Sequence, residues 1–271
     1  MKSPLLPALA ALALAAPALA QDLGASSKNI EDYFQSGALV EQLIHARHIP
    51  KEKDLGGAMD SKTLAGFIPE CDEEGVVDLP PKYLREYSIS PEDKSKLQRI
   101  LGAGQKYSDF QKALNDGYVP TDVFEDGLGL AFAKVSLFTD RKYFFDKPDL
   151  LFYLKDRAKM AFRLVSVAYV AGDRLPNRDF KITRQKSREL IKLWRPWDGI
   201  CFKNRKGALS YHDTEDEDAG GCMGGRFIKR AHIMHVWLPL YNPKGLFTPT
   251  NPVAEYLDLN NKAFPFCRKK F

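Results

Sequence analysis

The chain has 271 residues, 44% of them hydrophobic and 28% charged, so it is long enough to bury a sizeable core. Its formal net charge of +5 is mild and gives no indication of nucleic-acid binding. After the N-terminus, no stretch approaches the roughly 18 consecutive apolar residues of a membrane-spanning helix. We therefore predict a soluble mature chain without a transmembrane segment.

The first residues have the organisation of a secretory signal peptide. Lys2 supplies a short positive region, a Leu- and Ala-rich run follows, and Ala18-Leu19-Ala20 forms an A-x-A cleavage site. We predict cleavage after Ala20 and a periplasmic or secreted mature chain. Loss of Lys2 would leave 39 of the 40 basic residues against 35 acidic ones, a net charge of +4.

All four cysteines, Cys71, Cys201, Cys222 and Cys267, follow the predicted cleavage site. An even number of cysteines in an oxidising compartment predicts two disulfides, for which three pairings exist. The stretch between Cys201 and Cys222 could fold back on itself, which favours that pair and, by elimination, Cys71 with Cys267. The chain has no C-x-x-C, which argues against a thioredoxin-like redox centre and against zinc-finger spacing.

Helices are predicted in the first half of the mature chain. Residues 26–49 carry an apolar helical face, and residues 51–90 are rich in Gly, Pro and charge and are expected to be irregular. Ser90 is expected to cap a further helix that ends at Gly102 and Gly104. A short helix should then run to a terminating glycine, Gly117.

Strands dominate the second half. Residues 129–138, 150–154 and 162–171 are rich in β-branched and aromatic side chains, and residues 226–240 read as one long strand. Residues 181–194 fit a basic amphipathic helix that could contact anionic lipid headgroups, contact an acidic partner or pack on the sheet.

This order of elements predicts an α+β fold, with N-terminal helices packed on a C-terminal, mostly antiparallel sheet. The predicted division is a signal peptide at residues 1–20, a helical N-terminal region at 21–116 and an α+β exported domain at 117–271.

Two of the five histidines, His232 and His235, lie three residues apart in the long predicted strand. Side chains alternate between the faces of a strand, so these two would point in opposite directions and could not share one metal ion. His45, with Glu41 and His48, lies on one face of the predicted N-terminal helix. That pattern lacks the order of residues of the H-E-x-x-H metalloprotease motif, and we favour a structural or solvent-facing role at the helix terminus.

Residues 212–225 place five acids in six residues after His212, but neither register supplies the glycine and glutamate of a calcium-binding loop. We therefore favour a solvated loop over a cation site. The chain has no G-x-S-x-G nucleophile motif, no phosphate-binding loop, no complete dinucleotide fingerprint and no C-x-x-C-H haem motif. Since catalytic residues need not be adjacent in sequence, a hydrolase with scattered residues stays open.

Three blocks of sequence occur in order: "GYVPTDVFEDGLGLAF" (117–132), "FFDKPDLLFYLKD…FRLVSVAYV" (144–170) and "HVWLPLYNPKGLFTPTNP" (235–252). Together they resemble a largely uncharacterised family of small exported bacterial proteins. The family pattern has a G-M-G-x-H block, a strand pair written F-x-P-x-x-P-x-x-L-L-Y, and H-V-W-L-x-x-x-N-P-x-G-x-F-x-P-x-N-P. The resemblance covers about half of the mature chain and implies an exported α+β domain without an established reaction.

The resemblance also implies a histidine cluster that could hold a metal. His235 matches the H-V-W block, but Ala131 occupies the histidine position of the first block. His232 lies three residues before His235, whereas the family pattern has four.

Two functional hypotheses follow. In the first, the protein is a non-catalytic binding protein without a cofactor. It would bind a periplasmic partner or small ligand through Trp237, Tyr241 and Phe247. In the second, it is a periplasmic metal-binding protein or metalloenzyme, with copper or zinc at His235 and a contribution from His212 or His45.

Overall fold

The chain folds into a mixed α+β structure whose centre is one large antiparallel sheet. In the computed structural model, the residues that are described are 66–74, 78–125, 127–138, 144–156, 161–172, 180–202, 226–259 and 267–269. No helix within these ranges is both long and apolar enough to cross a membrane. The predicted signal peptide and the predicted helix 26–49 lie outside the described residues.

The sheet has six strands in the spatial order β3-β4-β5-β6-β9-β8, and every neighbouring pair is antiparallel. Its strands are β3 (Val119–Glu125), β4 (Gly129–Ala133), β5 (Leu150–Asp156), β6 (Ala161–Ala171), β8 (Arg195–Phe202) and β9 (Arg226–Val236). The first four follow the chain order as a meander. β8 then takes the edge, so that β9 lies between it and β6.

Helices and two small strand pairs surround this sheet. The helices are α1 (Pro81–Glu86), α2 (Pro91–Tyr107), α3 (Phe110–Asn115), α4 (Val135–Phe138) and α5 (Pro252–Leu259). The remaining strands are β1 (Glu70–Cys71), β2 (Tyr87–Ser88), β7 (Thr183–Arg184) and β10 (Arg268–Lys269). β1 pairs with β10 in parallel, and β2 pairs with β7 in antiparallel fashion.

Helix α2 begins where the sequence predicts. The Ser90 side chain accepts a hydrogen bond from the Asp93 backbone N–H, and Pro91 occupies the first turn, where no amide donor is needed. The predicted end at Gly102 and Gly104 is wrong, because the helix continues to Tyr107. Packing of the buried helix face outweighs the roughly 1 kcal/mol that a glycine costs within a helix.

Aromatic side chains join the helices to the sheet. Phe110, the first residue of α3, packs its ring against Phe132 of β4, Tyr153 of β5 and Phe162 of β6, with centroids 4.2–5.2 Å apart. The Tyr153 hydroxyl also donates a 2.8 Å hydrogen bond to the carbonyl of Tyr107, the last residue of α2. These contacts hold the end of α2 against the middle of the sheet.

Three predicted boundaries in the second half of the chain need correction. Residues 129–138 are not one strand, because β4 ends at Ala133 and α4 follows. Residues 181–194 are not a helix, because they contain β7 and a turn. The strand that begins at Arg226 ends at Val236, since Pro239 cannot continue a hydrogen-bonded ladder.

One disulfide, between Cys71 and Cys267, joins segments 196 residues apart and lies beside the β1–β10 pair. This confirms one of the two predicted pairings. Cys201 lies in β8 and Cys222 lies outside the described residues, so the second pairing stays a prediction.

Candidate functional site

The residues after β9 form a segment that we call the proline-rich loop, residues 237–251. Its three predicted ligand-binding rings are buried: Trp237 is 0% exposed, Tyr241 4% and Phe247 1%. Tyr241 stacks on Phe67, with centroids 5.4 Å apart, and Phe247 packs against Phe180 at 5.7 Å. A ligand could contact these rings only by displacing contacts within the protein.

Hydrogen bonds within the proline-rich loop satisfy its polar groups. The indole Nε1 of Trp237 donates to the Thr248 carbonyl at 2.6 Å. The Asn242 side chain donates to the Thr248 hydroxyl at 2.7 Å and to the Thr250 carbonyl at 2.8 Å, and it accepts from the Lys244 backbone N–H at 3.0 Å. The loop therefore has the organisation of a folded structural unit.

Two tyrosines of the α1–β2 region form hydrogen bonds with this loop. The Tyr83 hydroxyl donates to the Trp237 carbonyl at 2.9 Å and accepts from the Asn242 backbone N–H at 2.8 Å. The Tyr87 hydroxyl accepts from the Leu246 backbone N–H at 3.3 Å. Burial raises the pKa of Tyr83 well above its usual range, so this hydroxyl keeps its proton and its donor role.

His235, the candidate metal ligand, is buried in the sheet. It is 5% exposed, lies 5.2 Å from the Phe152 ring and has no hydrogen-bond partner at Nδ1 among the described residues. Burial, with a smaller effect from the Arg195 charge, lowers the pKa of His235 to about 3, so the imidazole is neutral at physiological pH.

The other candidate metal ligands do not join His235 in the described part of the chain. His45 and His212 lie outside it, and His232 is partly exposed, with Nδ1 3.3 Å from the Gly172 carbonyl. Within that part, no group of three or more His, Cys, Asp or Glu side chains is placed to hold a metal ion. A metal at His235 would need ligands from segments that are not described.

A different region has the geometry of a binding site. A cleft of about 640 Å³ lies along the second half of α2 and extends to the loop after α3, the start of α4 and the turn at residues 144–147. Small-molecule sites usually measure roughly 300–1,000 Å³. Its lining includes four cations and two carboxylates: Arg99, Lys106, Lys134, Lys147, Asp116 and Asp146.

Both carboxylates of the cleft are already paired. Arg99 binds Asp146 at 2.9 Å, and Asp116 accepts hydrogen bonds from Lys106 and from the Tyr107 hydroxyl. The Lys106 contact lowers the pKa of Asp116, and the same contact raises the pKa of Lys106, so both groups are charged at neutral pH.

Two further lysines bring positive charge to the cleft without a salt bridge in the described part of the chain. Lys134 follows β4, and its Nζ lies 5.9 Å from the centre of the Tyr118 ring. Lys147 closes the turn at residues 144–147, and its Nζ lies 5.5 Å from the centre of the Phe144 ring. With the two ion pairs neutralised, these lysines give the cleft a net charge of about +2.

A glycine keeps part of the cleft open. Gly102 lies on the exposed side of α2, and a Cβ atom at this position would meet nothing within 4 Å. The buried rim is fixed by Tyr118, whose hydroxyl donates a 2.6 Å hydrogen bond to the Pro148 carbonyl. The cleft therefore combines an uncovered stretch of helix with positive charge.

Sequence reasoning missed this cleft because its residues come from four separate segments and form no motif. The one local signal was Gly102, a glycine on the exposed side of an otherwise strong helix. The sequence predicts a helix end there, although a glycine within a helix also leaves space above the backbone.

Comparison of the chain with protein-family models, with curated proteins and with solved structures finds no match.

Proposed function

We propose that the protein is an exported, non-catalytic binding protein whose cleft beside α2 takes a small organic anion. The observation that carries the proposal is the pair Lys134 and Lys147, two lysines at one cleft whose carboxylates are already bound to other cations. Export rests on the N-terminal segment that ends at Ala20 and on the family resemblance of residues 235–252.

The chemistry of the cleft favours an anion over a neutral ligand. A carboxylate or phosphate that enters would form charge-assisted hydrogen bonds with the lysine ammonium groups, which are stronger than neutral ones. The buried Tyr107 and Tyr118 side chains lie beneath the same space, and the Tyr107 hydroxyl is already bound to Asp116. A site of this kind needs no nucleophile and no metal, in keeping with a binding role.

The test is a thermal-shift and calorimetric screen of the exported chain, residues 21–271, against citrate and glucose 6-phosphate. Glucose serves as the neutral ligand of matched shape. We expect citrate and glucose 6-phosphate to bind and glucose not to bind. The double variant Lys134→Ala/Lys147→Ala should weaken binding by at least about tenfold per lysine, since hydrogen bonds to charged groups contribute roughly 1.5–3 kcal/mol.

The matched control is Lys94→Ala/Lys112→Ala, which removes two exposed lysines of α2 and α3 that do not line the cleft. This control should bind like the unaltered protein. If neither anion binds, or if both double variants lose affinity equally, the cleft is not an anion site and the proposal fails.

A further inference from the structure

Residues 181–192 form a short antiparallel hairpin at the surface, which we call the basic hairpin. Thr183 forms a bridge with Leu190, and the Arg184 backbone N–H donates to the Glu189 carbonyl at 3.0 Å. The N–H of Ile191 donates to the Ile182 carbonyl at 3.1 Å, which closes the inner end.

The hairpin has one apolar side chain directed outward. Ile182 is buried at 1% exposure, whereas Leu190 is 64% exposed. Because Leu190 and Ile182 lie on opposite faces of this extended pair, the buried face anchors the hairpin and the other presents a leucine to the surroundings.

A second exposed leucine lies next to the hairpin. Among the described residues, only three large hydrophobic side chains are exposed, and Leu84 of α1 is one of them at 42%. The Gln185 side chain donates a 3.1 Å hydrogen bond to the Leu84 carbonyl. The end of α1 and the turn of the hairpin therefore form one surface.

Positive charge surrounds both leucines. The hairpin has a single acid, Glu189, and five exposed cations: Lys181, Arg184, Lys186, Arg188 and Lys192. None of the five forms a salt bridge with another described residue. Arg85 adds a sixth exposed cation at the end of α1, next to Glu86.

We propose that the basic hairpin docks the protein onto an anionic lipid bilayer. Exposed leucines within a cluster of cations match such a surface on both counts, since the cations approach the headgroups and the leucines enter the acyl boundary. An acidic surface alone would match only the cations, whereas an anionic bilayer matches both the cations and the exposed leucines. This docking is independent of the anion site in the cleft.

The experiment is co-sedimentation of the exported chain, residues 21–271, with vesicles of phosphatidylcholine alone or with about one third phosphatidylglycerol. We expect binding only to the anionic vesicles, with a steep decrease between about 0.05 M and 0.5 M NaCl. Lys186→Ala/Lys192→Ala should weaken the association about 30-fold, or about fivefold per cation. Leu190→Ser should weaken it further without any change in charge.

Lys112→Ala removes one positive charge of α3, outside the hairpin, and should bind vesicles normally, whereas Lys186→Ala alone should weaken binding about fivefold. Binding to soluble polyglutamate, which mimics an acidic protein, is measured to distinguish a lipid partner from a protein partner. Equal binding to polyglutamate and vesicles, or vesicle binding that Leu190→Ser does not alter, would overturn the lipid assignment. No binding to anionic vesicles, equal binding to both vesicle types, or equal loss in the control variant would overturn it as well.

Discussion

The proline-rich loop and the cleft beside α2 differ in how they use their polar groups. In the loop, Trp237 and Asn242 donate their hydrogen bonds to other residues of the same loop, and the aromatic rings are buried. In the cleft, Lys134 and Lys147 form no salt bridge with a described residue, although the charge of Lys134 acts on Asp116, and Gly102 leaves the helix uncovered. The polar groups of the loop are hydrogen-bonded within the protein, whereas the two lysines of the cleft are placed to bind a ligand.

This difference shows that a segment rich in distinctive residues is not necessarily a functional site. The segment from His235 to Pro252 has the most distinctive sequence of the chain because a compact, proline-punctuated loop needs particular residues at particular places. The cleft needs only charge and space, which many sequences provide. Substitutions in the loop should therefore change the stability of the protein, and substitutions in the cleft should change ligand binding.

Trp237→Ala should have the largest effect on stability. It removes a fully buried indole and leaves the Thr248 carbonyl without its 2.6 Å donor, so we expect a loss of about 3–5 kcal/mol in the free energy of unfolding. Urea denaturation measures this loss. Trp237→Phe, which keeps most of the ring, should lose much less. A stable Trp237→Ala protein with reduced ligand binding would instead make the loop a binding site.

Asn242→Ala should destabilise the protein by about 1–2 kcal/mol, because it removes a fully buried side chain that hydrogen-bonds the part-buried backbone groups of Thr250 and Lys244. Asn242→Asp keeps the acceptor for the Lys244 N–H but loses both donors, so it should be destabilised as well. Urea denaturation of both variants checks this. A loss below about 0.5 kcal/mol in both, the usual range for surface substitutions, would contradict the structural role.

His235 should make the protein less stable in acid. Its folded-state pKa of about 3 lies below the unfolded value of about 6.5, so only the unfolded chain binds a proton between those values. Stability from the neutral imidazole is complete above about pH 6.5 and is lost as the pH falls toward 3.

The check compares the protein with His235→Leu by denaturation across this pH range. Below pH 6.5, the unfolding free energy of the unaltered protein should fall relative to that of the variant by up to about 1.4 kcal/mol per pH unit. A pH-independent difference would mean that His235 is protonated in the fold, or that the site is solvated.

Gly102→Ala should have the smallest effect on stability, and unlike the substitutions in the proline-rich loop it should stabilise the protein. The position is helical and exposed, and the added Cβ meets no atom within 4 Å. We therefore expect the protein to become more stable by about 0.5–1 kcal/mol, seen as a higher Tm. Destabilisation would show that the helix is distorted at this point.

Much of the fold follows from local sequence signals. Ser90 and Pro91 predict the start of α2, and the runs of β-branched residues predict β5 and β6. The failures occur where tertiary contacts decide. Residues 181–194 have a helical pattern, but the pairing of Thr183 with Ser88 and Leu190 holds them extended. Burial of the proline-rich loop depends on Tyr83, more than 150 residues earlier in the chain, which no local pattern reveals.

The most direct test of an anion site in the cleft is citrate titration of Gly102→Leu and Gly102→Ala by calorimetry. Both variants add a side chain to the exposed face of α2, but only leucine extends beyond its Cβ into the cleft. We predict that Gly102→Ala binds citrate with nearly unaltered affinity and that Gly102→Leu, though fully folded, binds it much more weakly. Equal citrate binding by both variants would contradict a ligand site beside α2.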